Sequence, residues 1–77
     1  MFNWFVARDD VKQRIADLEE RISGLRDKLR QVAEGTVEST TTQRILFVRE
    51  QELERAKFHA EFIDYQIAKF RAKMLRR

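Results

Sequence analysis

The sequence predicts an all-α protein, an antiparallel helical hairpin of the coiled-coil type that dimerises into a four-helix bundle. Proline is absent, glycine occurs twice, and 38% of the 77 residues are charged, a composition typical of long helices. Apolar residues recur at alternating spacings of three and four, and one short polar stretch divides the chain. We therefore expect a single helical-hairpin domain over residues 1–77.

The first helix is predicted over about residues 3–34 from an unbroken coiled-coil seam. The seam residues are Val11, Ile15, Leu18, Ile22, Leu25, Leu29 and Val32. Trp4 lies seven residues before Val11 on the same seam, which favours a helix that begins there with Asn3 as its cap. Gly35 can supply the left-handed residue that follows a helix end.

An alternative organisation of the start leaves a separate extended arm. Phe2, Trp4 and Val6 alternate as they do in a strand. The helix would then begin near Asp10, with Gln13 three residues later completing a capping box. We favour the continuous helix because it makes the two arms of the hairpin nearly equal.

The second helix is predicted over about residues 42–76, after a loop at residues 35–41. The loop sequence GTVESTT is polar and rich in β-branched residues, and its length suits a connection between antiparallel neighbours. Thr40 with Gln43, or Ser39 and Thr41 in a shifted frame, can cap the helix.

Two apolar stripes lie on opposite sides of the second helix when about 100° is allowed per residue. The first stripe is Leu46, Leu53, Ala56, Ala60, Ile63, Ile67, Phe70 and Met74. The second stripe is Phe47, Phe58, Phe62 and Tyr65. One hairpin can cover only one stripe. The small residues Ala56 and Ala60 permit close approach, so the first stripe is assigned to the first helix. The opposite assignment would leave the oligomer prediction unchanged.

The aromatic stripe is therefore predicted to be the oligomer interface, because large aromatic patches are seldom left in water. A twofold homodimer is the commonest symmetric solution. Phe58, Phe62 and Tyr65 also have the spacing of anchors that a helix lays into a groove. As an alternative to self-association, the aromatic stripe can therefore bind a different, unidentified protein.

Nothing in the sequence indicates catalysis, so we expect a non-enzyme without cofactor or metal. Cysteine is absent and His59 is the single histidine, which excludes the common zinc patterns. No glycine-rich phosphate loop occurs. An acidic helix surface produces carboxylate pairs freely, and His59 is interpreted as a surface residue.

The first residues of helix one and the last of helix two meet at one end of such a hairpin. The partner-binding candidates there are Phe2, Trp4, Phe5, Lys69, Arg71, Lys73, Arg76 and Arg77. Three uses are open. First, the aromatic residues can cover the end of the bundle. Second, this end can dock a protein, because tryptophan, phenylalanine and arginine are enriched at binding hot spots. Third, the cations can contact the phosphates of nucleic acid or of an acidic membrane.

The predicted function is that of a homo-oligomeric protein-interaction module, a small adaptor or regulatory inhibitor that binds a protein partner sterically. The alternatives are an accessory protein at nucleic acid or a membrane surface, which uses the basic tail, and a structural oligomer. The apolar start runs into Arg8, Asp9 and Asp10 without a preceding basic region, which makes a poor signal peptide. The absence of cysteine fits a reducing compartment, so a cytoplasmic location is expected.

Overall fold

The protein folds into two helices packed side by side as a hairpin. This computed structural model describes residues 2–76, with α1 at Trp4–Gln31 and α2 at Val37–Leu75. Residues 32–36 connect them, and so short a connection returns the chain antiparallel to itself. The molecule measures 63 × 20 × 14 Å. The predicted all-α hairpin is confirmed, and the dimer and four-helix bundle stay predictions.

Helix α1 begins where the continuous-helix prediction placed it. Asn3 has an extended backbone, and its side-chain oxygen accepts hydrogen bonds from the backbone amides of Phe5, at 2.9 Å, and Val6, at 3.3 Å. These bonds satisfy amides that have no acceptor within the helix. Asp10 lies inside the helix, so the alternative start with an extended arm is wrong.

The connection lies earlier in the chain than predicted. α1 ends at Gln31 instead of near residue 34, and α2 begins at Val37 instead of near residue 42. Thr36 is the cap of α2, because its Oγ1 accepts a hydrogen bond from the amide of Ser39 at 3.1 Å. The caps proposed around residues 39–41 are therefore wrong.

Burial explains why the helix includes residues with weak helix propensity. Ser39 and Thr42 are 2% and 3% exposed, and Thr42 donates its hydroxyl proton to the backbone oxygen of Glu38 at 2.8 Å. Small side chains whose hydroxyls bond within their own helix fit where two helices approach each other near a turn. Tertiary packing thus overrides the intrinsic preference for a loop.

Gly35 lies within the connection and has φ +78°, in the left-handed region. The predicted left-handed backbone of Gly35 is confirmed. Gly35 does not end α1, however, because α1 ends at Gln31 with Val32 as its cap. Gly24 lies in α1, and a Cβ at either glycine would meet nothing within 4 Å. The two glycines therefore differ in backbone conformation and not in available space.

Replacing each glycine by alanine is expected to change stability in opposite directions. Gly35→Ala forces a Cβ into the left-handed region and should lower the free energy of unfolding by about 1 kcal/mol. Gly24→Ala should raise it by about 1 kcal/mol, because alanine is the better helix former. Urea unfolding followed by far-ultraviolet circular dichroism compares the two. Shifts of the same sign would contradict this structure of the connection.

The core is a single line of side chains between the helices. The buried apolar residues are Val11, Leu18, Ile22, Ala56, Ile63 and Ile67. Val11, Ile63 and Ile67 form its centre, against which Trp4, Phe5, Ala7, Ile15 and Ala60 pack. The first stripe of α2 therefore faces α1, as predicted, over the part of α2 that α1 covers. The core is apolar toward the chain termini and polar toward the turn, where Ser39 and Thr42 lie.

The two helices differ in length, so the prediction of nearly equal arms is wrong. α1 has 28 residues and α2 has 39, or about 42 Å and 58 Å at 1.5 Å per residue. Trp4 contacts Phe62, and Phe5 lies beside Arg71, so the first turn of α1 runs beside residues 62–71. The C-terminal part of α2 extends past it. We call residues 70–76 the overhang; its first two residues lie beside the start of α1 and the rest extends past it.

Candidate interaction surfaces

Four aromatic side chains of α2 lie outside the hairpin core, and we call them the aromatic face. They are Phe47, Phe58, Phe62 and Tyr65, with exposed fractions of 63%, 75%, 48% and 60%. An isolated exposed ring is ordinary, whereas exposed rings that share one side of a helix mark a candidate interaction surface. The hairpin fold thus leaves this predicted stripe open to solvent.

Phe62 is the member of the aromatic face that also takes part in hairpin packing. Its ring lies edge to face with Trp4, with centroids 6.0 Å apart and an interplanar angle of 67°. Trp4 in turn stacks edge to face with Phe2 at 4.6 Å. A row of three rings therefore joins the aromatic face to the end of the hairpin where the chain termini lie.

That end of the hairpin, which we call the open end, contains an apolar hollow. Its volume is about 350 Å³, and it is lined by Phe2, Asn3, Trp4, Phe5, Ile67 and Phe70. Trp4 and Phe5 are half-buried against the core, as the prediction that they cover the end of the bundle requires. Met74 and Leu75 remain 59% and 86% exposed. Trp4 and Phe5 therefore do not cover the last two apolar residues of α2.

Basic side chains surround the open end. The guanidinium of Arg71 lies 5.8 Å from the centroid of Phe5, and the Lys69 ammonium lies 5.5 Å from that of Tyr65. Such contacts contribute about 0.5 to 1 kcal/mol at exposed sites. Lys73 and Arg76 are exposed, and Arg77 lies outside the described residues. The structure thus brings the predicted aromatic and basic candidates, Arg77 apart, to one end.

Sequence reasoning missed Arg8, which is also at this end. It occupies the seam position between Trp4 and Val11, four residues after one and three before the other. Its guanidinium lies 5.5 Å from the centroid of Phe5. Its Nε atom is buried without a hydrogen-bond partner within residues 2–76, 3.7 Å from a carboxylate oxygen of Asp9. Its position at the three-and-four spacing of the seam is the sequence feature that could have identified Arg8.

Away from the open end, ion pairs connect exposed side chains of the two helices. Three of them join the two helices, namely Arg14 to Glu52 at 3.8 Å, Arg26 to Glu50 at 3.1 Å and Lys28 to Glu38 at 3.7 Å. Each contributes little by itself because the side chains are largely exposed. Across residues 2–76, no ion pair involves the cations of the overhang. The open end is therefore where positive charge accumulates.

Two exposed aliphatic residues near the turn were also missed. Ile45 and Val48 are 41% and 50% exposed, and with Arg44 and Arg49 they line a shallow hollow of about 200 Å³. They flank Phe47 in the sequence, and so they extend the apolar surface at the turn end of α2. Val48 lies between the two predicted stripes, whereas Ile45 is 18 residues, or five full turns, before Ile63 and continues the line of the first stripe toward the turn.

Hollows along the sides of the hairpin are lined mostly by charged and polar side chains. A hollow of about 650 Å³ between the helices is open and lined mainly by charged side chains of both signs. His59 is exposed and borders a smaller hollow with Glu52 and Arg55. Within residues 2–76 no three histidine, cysteine or carboxylate residues are grouped to hold a metal ion. Neither described helix has an apolar run of the length and hydropathy that crossing a bilayer requires.

Comparison of this chain with family models, curated proteins and solved structures found no match. The class of protein is therefore defined by its own fold and surfaces. It is an all-α helical hairpin with an exposed aromatic face along α2 and a basic, apolar open end.

Proposed function

We propose that this chain is a non-enzymatic interaction module that assembles with copies of itself through the aromatic face. The dimer would be a four-helix bundle with twofold symmetry, in which each aromatic face packs against its equivalent. The proposed role is that of a small cytoplasmic adaptor or regulatory inhibitor, which acts by sterically binding a protein partner.

The observation that carries this proposal is the exposure of Phe47, Phe58 and Tyr65 beside a small core. Only six apolar side chains are buried among the described residues, and one of them is an alanine. A chain of this size gains barely enough from burial to offset its conformational entropy. Covering the rings of two chains would by itself bury on the order of 1,000 Å², which is about the minimum for a specific interface, and the side chains around the rings would add to it.

The direct test is the native mass by light scattering over a dilution series at low and moderate salt. We expect twice the mass of one chain, with dissociation only at low concentration and little effect of salt, because the interface is apolar. A monomer at every concentration would refute self-association. The aromatic face would then be the leading surface for a foreign protein.

A second candidate function is that of an accessory protein at an anionic surface, either nucleic acid or membrane. The overhang favours it, because exposed Met74 and Leu75 lie among cations at one end of the molecule. Nucleic acid would be held there only by nonspecific, salt-sensitive contacts, since a two-helix hairpin presents no known base-reading motif.

A further inference from the structure

We propose that the open end binds the surface of an acidic lipid bilayer. The site consists of the overhang, Phe2 and the hollow between Phe2 and Phe70. This inference rests on the second candidate function and names its ligand. It does not depend on self-association, because the exposed side chains of the overhang are not members of the aromatic face.

The apolar part of the site is the continuation of the core line past the start of α1. Ile63 and Ile67 are 0% and 5% exposed, whereas Phe70 and Met74, next on the same line, are 49% and 59% exposed. The change occurs where α2 extends beyond α1. Leu75 lies about 100° further round the helix and is 86% exposed. Phe2, at 68% exposed, adds a ring from the other chain end.

The charged side chains of residues 69–76 are all basic. Lys69, Arg71, Lys73 and Arg76 follow Asp64, which is the last acidic residue of the sequence. Cations close to an anionic lipid surface each add to binding, and long basic side chains keep their charged ends among the headgroups while their stems cover apolar surface. Tryptophan is the side chain most typical of the region between headgroups and acyl chains, and Trp4 lines the hollow.

A second copy of the chain fits this end poorly. Two overhangs packed together would oppose cations with cations, and like charges at close range cost binding free energy. The overlap is also small, because residues 70–76 make about two helical turns, or roughly 10 Å. Self-association is therefore better served by the aromatic face.

A single partner helix fits poorly as well. It would cover Phe70 and Met74 and bury on the order of a few hundred Å², well below the roughly 1,200 Å² of a stable protein interface. A bilayer needs no matching shape. Leu75, which lies to one side of the line of Phe70 and Met74, and Phe2, which precedes α1, can both enter the bilayer. The cations around them would then face lipid headgroups. Among the surfaces that complement this charge, a bilayer can take up Phe2, Phe70, Met74 and Leu75 together.

The experiment uses vesicles of phosphatidylcholine with and without phosphatidylserine. Trp4 is the only tryptophan of the chain and lies at the site, so a blue shift of its emission reports contact, and co-sedimentation reports the bound fraction. We expect binding to the acidic vesicles, weakened by salt, and little binding to the neutral ones. Equal binding to both kinds of vesicle, or to neither, would overturn the proposal.

Matched variants locate the contact. Lys73→Glu with Arg76→Glu should lower the partition coefficient on acidic vesicles by about 30-fold or more, at about fivefold per cation lost. Arg44→Glu with Lys57→Glu makes the same change of net charge at exposed positions outside the open end and should lower it far less. Equal losses would mean attraction by net charge alone and would overturn the proposed site.

The apolar contribution is tested separately. Met74→Ser with Leu75→Ser should weaken vesicle binding by about 10-fold or more, whereas Val37→Ser, at a position 84% exposed near the turn, should leave it unchanged. Circular dichroism checks that each variant is folded. Single-stranded DNA that binds while acidic vesicles do not would overturn the lipid assignment in favour of nucleic acid. Vesicle binding and native mass are independent readouts, so failure of this proposal is distinguishable from failure of self-association.

Discussion

Ile63→Ala is expected to remove a large part of the stability of the hairpin. Ile63 is 0% exposed and lies at the centre of the core with Val11 and Ile67. Truncating a fully buried isoleucine costs about 2 to 5 kcal/mol, through lost burial and the cavity that remains. A domain of this size has a free energy of unfolding of about 4 to 11 kcal/mol. A loss of about 4 kcal/mol would therefore leave much of the protein unfolded at moderate temperature.

The same substitution at Ile45 provides the control, because Ile45 lies in the same helix and is 41% exposed. We expect Ile45→Ala to change the free energy of unfolding by no more than about 0.5 kcal/mol. Urea denaturation at equal protein concentration measures both variants. If the two midpoints shifted equally, the assignment of the Ile63 stripe to the interhelical core would have to be abandoned.

Phe47→Ala with Phe58→Ala is expected to dissociate the proposed dimer. Their rings are 63% and 75% exposed in the hairpin, so truncation removes little from the fold of one chain. A dimer would lose four rings, each worth about 1.5 to 3 kcal/mol when fully buried. The dissociation constant should rise by about a thousandfold or more, which light scattering over a dilution series measures directly.

Val6→Ala with Val37→Ala is the matched control for association, since both valines are exposed and neither lies on the aromatic face. Its mass should follow that of the unmodified protein. Phe62→Ala is less suitable as a probe, because the ring also contacts Trp4 within the hairpin. A double variant that stays dimeric at every concentration would exclude Phe47 and Phe58 from the interface.

The predictions that held for the fold depend on repeating patterns. The seam from Val11 to Val32 predicts α1 because one buried line along a helix requires apolar residues every three or four positions. Asn3 as the cap follows from Trp4, which extends that seam back to the helix start. The two stripes of α2 follow from the same geometry, and the rings of one of them are exposed in the hairpin.

The predictions that failed concern ends and lengths. The sequence predicts a loop at residues 35–41 and a second helix from about residue 42, because hydroxyl and β-branched residues have weak helix propensity. Ser39 lies in that predicted loop and Thr42 at the predicted helix start, yet both lie within α2. They are helical because they are small enough to fit between α1 and α2, a property of two elements together. Arg8 was overlooked because a charged residue interrupts an apolar pattern, although its position on the seam was readable.

The repeating pattern of apolar residues by itself determines that this chain forms two helices and that α2 has two apolar sides. Those properties depend on positions along one helix. Packing against α1 decides that the Ile63 side becomes the core and that the four rings of the aromatic face point away from it. The register between α1 and α2 depends on the turn, on close packing and on ion pairs such as Arg26 with Glu50, all of which involve both helices. That register places most of the overhang beyond α1, and so it leaves Phe70 half-exposed and Met74 and Leu75 more exposed among the cations of the open end.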